Sequence, residues 1–185
     1  MENRLSLRDA LRQESPELHA SLMRSWDIAR NQWLPTIVGN KGSFNSFPHL
    51  RNLESYANEV LAQTAAMSPK AEALQLNAIE KYLLLASILF HDIGRSKPKG
   101  DTPHAEISWK IIRKDFASLG IENERIAHII ADICCYHDCG KEAEARLDLN
   151  DHTVGQYRDI HAKRIAVFLK FIDELDGAYT PMSLT

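Results

Sequence analysis

Between Lys81 and Arg95 the chain reads Lys-Tyr-Leu-Leu-Leu-Ala-Ser-Ile-Leu-Phe-His-Asp-Ile-Gly-Arg. Apolar residues occupy nearly every position and leave no polar face, so this helix has to be enclosed by other elements rather than lie on a surface. It is too short and too closely flanked by charge to cross a membrane, which takes roughly 20 apolar residues. Where the apolar run ends, His91 and Asp92 stand side by side, and Gly94 is placed to stop the helix in a left-handed conformation. A buried imidazole and carboxylate need compensation, either hydrogen bonds from neighbours or a shared cation. The carbonyls at a helix C-terminus favour the cation. For an isolated pair the ordinary outcome is a His-Asp hydrogen bond closing the helix; the rest of the chain decides between the two.

The length of 185 residues suits one domain with a sizeable core, spanning residues 1–185. With 44% hydrophobic and 25% charged residues, 8 Gly and 7 Pro, the composition leaves no room for long disordered tracts. A formal net charge of −3 argues against a broad nucleic-acid surface. The N-terminus has neither the continuous apolar stretch nor the cleavage pattern of a secretory signal, so the expected compartment is the cytoplasm, with no membrane partner. Cys134, Cys135 and Cys139 crowd into one short stretch, a poor basis for a disulfide framework and in keeping with a reducing compartment. A structural zinc site with His137 is rejected because no second Cys pair exists; small buried hydrophobes are the better reading.

Along the chain, Ser15-Pro16-Glu17 opens a helix expected to end at about Leu34, before Pro35. A turn-rich loop follows at Gly39 to Ser43. A helix beginning near Ser46-Phe47-Pro48 carries His49 in its first turn, and its Leu50, Leu53, Ala57, Val60 and Leu61 fall at three- and four-residue spacing. Ser68-Pro69 is read as the start of the longest helix, which ends at Asp92. The segment from Arg95 to Asp101 reads as a basic loop. Thr102-Pro103-His104 starts a helix ending at Gly120, and Asn123 opens another that ends at Tyr136-His137-Asp138. A short helix is expected around Glu142 to Leu147, and a last one from about Gln156 to Asp176, with Ile165, Phe168, Leu169, Ile172 and Leu175 as its apolar stripe. No segment alternates with period two, so the expected fold is all-α.

His49, His91, Asp92, His104, His137 and Asp173 all fall at helix ends or beside buried stripes. In this order they resemble the HD superfamily of metal-dependent phosphohydrolases, named for an adjacent His-Asp pair such as His91-Asp92. The resemblance runs from about Pro48 to Gly177. It rests on His49, on Leu-Phe-His-Asp-Ile-Gly from Leu89 to Gly94, and on Phe-Ile-Asp-Glu-Leu-Asp from Phe171 to Asp176. It implies a helical bundle of the HD type in which His49, His91, Asp92 and Asp173 bind a first metal. His104 and His137 match the additional histidines of two-metal members, where Asp92 would bridge both ions. Imidazole and carboxylate without thiolate suit manganese or iron, with nickel or zinc as alternatives.

The implied activity is hydrolysis of a phosphomonoester or phosphodiester, in a small phosphorylated substrate such as a nucleotide. Two ions would acidify a water and hold the phosphoryl oxygens, with Asp92 and His91 at the catalytic centre. Two other readings stand beside it: a di-iron oxygenase, and a non-catalytic nucleotide-sensing or interaction module that keeps the metal site. Arg95, Lys97 and Lys99 are candidates for substrate phosphate, against the alternative of a solvated loop. His128 and His137 lie on opposite faces of one helix at about 100° per residue, and His137 is preferred because it ends an apolar helix as His91 does. Asp173 and Asp176 share a face; the family pattern makes Asp173 the ligand and leaves Asp176 to support it or cap the helix. His19, His152 and His161 are given no role. The chain ends nine residues after Asp176, where many members continue, so it is read as either a fragment or a minimal version. Oligomeric state is left open.

Overall fold

The computed structural model describes residues 5–38, 47–67, 75–97 and 102–179. The helices in chain order are α1 (Leu7–Glu14), α2 (Pro16–Ile28), α3 (Leu34–Val38), α4 (Phe47–Met67), α5 (Ala78–Phe90), α6 (His104–Asp115), α7 (Glu124–Tyr136), α8 (Lys141–Glu144) and α9 (Ala162–Tyr179). A two-stranded antiparallel hairpin, β1 (Asp151–Val154) and β2 (Tyr157–His161), precedes α9. Apart from that ribbon the described chain is an all-α bundle. The expected loop at Gly39 to Ser43, the proposed start at Ser68-Pro69, and Lys99 lie outside the described residues. None of the described helices is long and apolar enough to cross a membrane.

α5 is the axis of the bundle, in contact with α1, α2, α4, α7, α9 and β2. Every residue from Ile79 to Phe90 except Lys81 is buried, as an all-round apolar helix requires. Its start differs from the expectation. Gln75 to Asn77 are not helical, and Asn77 caps Ala78–Phe90 through a capping box in which Asn77 Oδ1 accepts from Glu80 N at 3.0 Å and Glu80 Oε2 from Asn77 N at 3.1 Å. That local satisfaction of two orphan N–H groups sets the boundary, and α4, not α5, is the longest described helix.

Other ends follow their caps. Ser15 caps α2 with Pro16 in the first turn, Asn123 caps α7, and Gly120, at φ 81°, takes the left-handed conformation that ends the turn after α6. Ser6, accepting from Asp9 N, caps a first helix, α1, that the sequence reading did not anticipate. Helix also continues past Pro35: a π turn over Ala29–Trp33 leads into α3, with Leu34 N bonded to Ala29 O. This wide turn accommodates the crowding a proline ring imposes on preceding carbonyls.

The hairpin corrects the expectation of helix from Gln156 and of no strand at all; α9 begins only at Ala162. Gly155 turns the chain at φ 59°, and the pairing runs Asp151 with His161, His152 with Ile160 and Val154 with Tyr157. One extra residue on β2 is taken up at Asp159, at φ 55°, a left-handed position that Asp tolerates. Such a bulge shifts the alternation within five residues and so hides the strand from a period-two reading.

Candidate metal centre

Four helix ends and one helix flank meet around α5. His91 is the C-cap of α5 and His137 that of α7, while His49 lies in the first turn of α4 and His104 opens α6. Asp92 follows His91 directly, and Asp173 comes from α9. Close apposition of α6 to the His91-Asp92 turn depends on Gly94. A Cβ there would lie 2.2 Å from the His104 carbonyl oxygen and 2.8 Å from Ser108 N. Gly94 is therefore required for close approach and not, as expected from sequence, for a left-handed stop, since its φ is not positive. Ser108 joins the two segments: its Oγ donates to His91 O at 2.7 Å and accepts from Gly94 N at 2.9 Å.

The six side chains fall into overlapping groups able to hold a metal ion: His49, His91 and Asp92; His91, His137 and Asp173; Asp92, His104 and His137. Asp92 divides its oxygens. Oδ2 lies 3.3 Å from His91 Nε2, whereas Oδ1 lies 2.9 Å from His104 Nε2 and 3.9 Å from His137 Nε2. Asp173 Oδ1 is 3.4 Å from His49 Nε2 and 3.6 Å from His91 Nε2. Each imidazole turns Nδ1 outward to an oxygen: His91 to Ile88 O at 2.9 Å, His137 to Cys134 O at 2.5 Å, His49 to Asp176 Oδ2 at 2.7 Å and His104 to Asp138 Oδ2 at 3.4 Å. An Nδ1 that donates to a carbonyl or carboxylate leaves its Nε2 lone pair facing the centre, which holds for His49, His91 and His137; His104 meets Asp138 only at an ion-pair distance, and its Nε2 lies nearer an oxygen of Asp92.

Those lone pairs are a poor match for each other. His49 Nε2 and His91 Nε2 are 3.2 Å apart, as are His104 Nε2 and His137 Nε2. Two acceptors at that separation, ringed by carboxylate oxygens, call for a positive charge between them. The donor set, imidazole with carboxylate, fits a divalent metal ion. Without one, a proton takes the role. Burial opposes charge on His91, yet the adjoining Asp92 and Asp173 raise its pKa to about 9. Burial and the neighbouring His91 charge push His137 down to about 4. Burial works against ionised Asp92 too, but His91, His104 and Arg95 hold its carboxyl well below the usual range.

Arg95 also reaches the cluster, its Nε donating to Asp92 Oδ1 at 2.8 Å. It belongs to a 3-10 turn, Ile93–Ser96, where a basic loop was expected. Lys97, just beyond, is exposed. His128 pairs with Glu124 on its own helix at 3.8 Å and joins none of the three groups. Asp176 is buried on His49 Nδ1, and its other oxygen accepts from Asn52 Nδ2 at 2.8 Å. No thiol enters the groups: Cys134 and Cys135 are buried, with Cys134 Sγ donating to Ser87 O, while Cys139 is half-buried. Asn52 and Ser108 carry no assignment in the sequence reading, and Asp138 enters it only as the end of the helix that closes on Tyr136-His137-Asp138. Two of them carried a signal: Asp138 directly follows His137, and Asn52 lies three residues after His49 on one helix face.

The bundle and its His/Asp cluster define a helical protein of the metal-dependent HD type. A family model described as HD-CE matches residues 46–180, and the chain belongs to that family, within the HD superfamily. No curated protein and no solved structure matches it significantly.

Proposed function

We propose that the chain is a metal-dependent phosphohydrolase that cleaves a phosphomonoester or phosphodiester in a nucleotide, using two divalent ions. The observation that carries this reading is the division of Asp92: one oxygen faces His91 and the other faces His104 and His137. A carboxylate so placed is suited to join two ions. His49, His91, Asp92 and Asp173 would hold one, and Asp92, His104 and His137 the other. Manganese or iron bound there would lower the pKa of a water and polarise the phosphoryl oxygens.

The chain's own residues supply the rest. The Nδ1 hydrogen bonds of His49, His91 and His137 hold those rings with Nε2 turned to where an ion would sit. Arg95, on the rim of the same carboxylate, is suited to hold a second phosphoryl oxygen. Lys97, and Lys99 outside the described residues, would add attraction to an anionic substrate, weakened by salt over about 8 to 10 Å.

The test is a screen of the manganese-loaded protein against nitrophenyl phosphate, bis-nitrophenyl phosphate and a nucleotide panel. Turnover is expected on at least one phosphoester, lost in Asp92→Ala together with bound metal. An Asp92→Ala protein that keeps both would sink the assignment.

A further inference from the structure

The four imidazoles are anchored in two different ways, and the difference follows from which end of a helix each occupies. His91 and His137 cap the C-termini of α5 and α7, where carbonyls have no helical partner. Each donates Nδ1–H to the carbonyl three residues back, Ile88 or Cys134. Such an anchor is supplied by the helix itself. His49 and His104 lie at helix N-termini, whose orphan groups are N–H donors, so neither finds a local acceptor. Each meets a carboxylate from another element instead.

The two carboxylates differ. Asp138 has a side chain 63% exposed and stands 3.4 Å from His104 Nδ1. Asp176 is 3% exposed and stands 2.7 Å from His49 Nδ1, and Asn52, one turn along α4 from His49, holds its second oxygen at 2.8 Å. Both oxygens of Asp176 therefore face donors. A carboxylate accepts from whatever it faces, so the chain Asn52 to Asp176 to His49 leaves a single proton arrangement, with hydrogen on Nδ1 and the lone pair on Nε2. That lone pair is the one turned toward His91 and Asp173.

We infer that Asp176, oriented by Asn52, is a positioning residue: it locks His49 in the Nδ1–H tautomer and so presents Nε2 to the ion held with His91, Asp92 and Asp173. This rests on the cluster being a metal centre. The lock itself, however, is a property of the metal-free protein. Carboxylate support of this kind is worth about 10- to 100-fold in metal affinity.

Two readouts separate the inference from its premise. Long-range proton–nitrogen NMR of the metal-free protein, above the ordinary histidine pKa, should report His49 as the Nδ1–H tautomer and, in Asp176→Ala, as a mixture or the Nε2–H form. Manganese titration should show binding weakened about 10- to 100-fold in Asp176→Ala. It should be largely restored in Asp176→Asn, whose amide oxygen can still accept from Nδ1. Asn52→Ala, at an exposed position, should give a smaller loss in the same direction, and it carries the test if Asp176→Ala does not fold. An unaltered His49 tautomer in both Asp176→Ala and Asn52→Ala, or affinity within twofold of the parent, would overturn the positioning role. A parent protein that binds no manganese at all, yet shows the tautomer shift, would instead remove the metal reading and leave the lock standing.

Discussion

Each imidazole of the cluster uses one nitrogen to fix its ring and leaves the other facing the centre, so function depends on small distances around the His91-Asp92 turn. Gly94 guards the closest of them. An added methyl would collide with backbone of α6 rather than with a side chain able to move aside. Gly94→Ala is expected to destabilise the protein by about 1 to 3 kcal/mol, the usual cost of overpacking. It should weaken metal binding as well, because His104 and Asp92 sit on the two segments forced apart. Urea midpoints and manganese titration of the variant check both. Stability and affinity equal to the parent would mean that the approach at Gly94 is looser than described. The pair His91-Asp92 and the terminal positions of His49, His104 and His137 were legible in the sequence, because caps and prolines mark helix ends. The reason for Gly94 was not, since it lies in a helix that passes over it from elsewhere in the chain.

At the level of elements, the start of α5 is held by a second polar cluster, remote from the His/Asp site. Glu80 is buried, and beyond its capping box Oε1 accepts from His161 N at 3.1 Å, lies 2.9 Å from His161 Nδ1 and accepts from Arg164 Nη2 at 2.7 Å. Those bonds tie the end of β2 and the first turn of α9 to the central helix. Burial alone would raise the Glu80 carboxyl, but the bonds from His161 and Asn77 and the Arg164 charge bring it below its ordinary 4.5. A depressed folded value gives stability that is fully present above the unfolded value and is lost as pH falls through the folded one. Glu80→Gln should therefore lower stability at neutral pH by roughly 1.5 to 3 kcal/mol, the worth of bonds to a charged group. It should also flatten the loss of stability below the ordinary carboxylate value. Thermal or urea unfolding of parent and variant across the acid range tests this; parallel pH curves would contradict it. The same cluster explains what the sequence concealed. His161 has no role in the sequence reading, and its tie to Glu80 arises only once the bulged hairpin has delivered it. The start of α5 was misplaced because Ser-Pro is a louder signal than Asn77 with Glu80 three residues on.

Across the whole molecule, two helix C-termini and two N-termini converge on one point. C-terminal dipole ends favour a cation and N-terminal ends oppose it, so the helices contribute little net field and the carboxylates decide the sign. Asp92 and Asp173 face the centre, while Asp176 and Asp138 stand behind the two N-terminal histidines. The all-round apolar α5 makes the convergence feasible, since its neighbours on every side bring their ends to its C-terminus. The proposed two-ion centre turns on Asp92, whose two oxygens face different histidines. Electron paramagnetic resonance of the protein titrated with manganese(II) tests it most directly, because ions about 3.5 to 4 Å apart across a shared carboxylate couple magnetically. Saturation at two manganese per chain with an exchange-coupled spectrum is expected, reduced to isolated ions in His137→Ala. Saturation at one ion, showing only the hyperfine sextet of an isolated manganese in the parent protein, would contradict it.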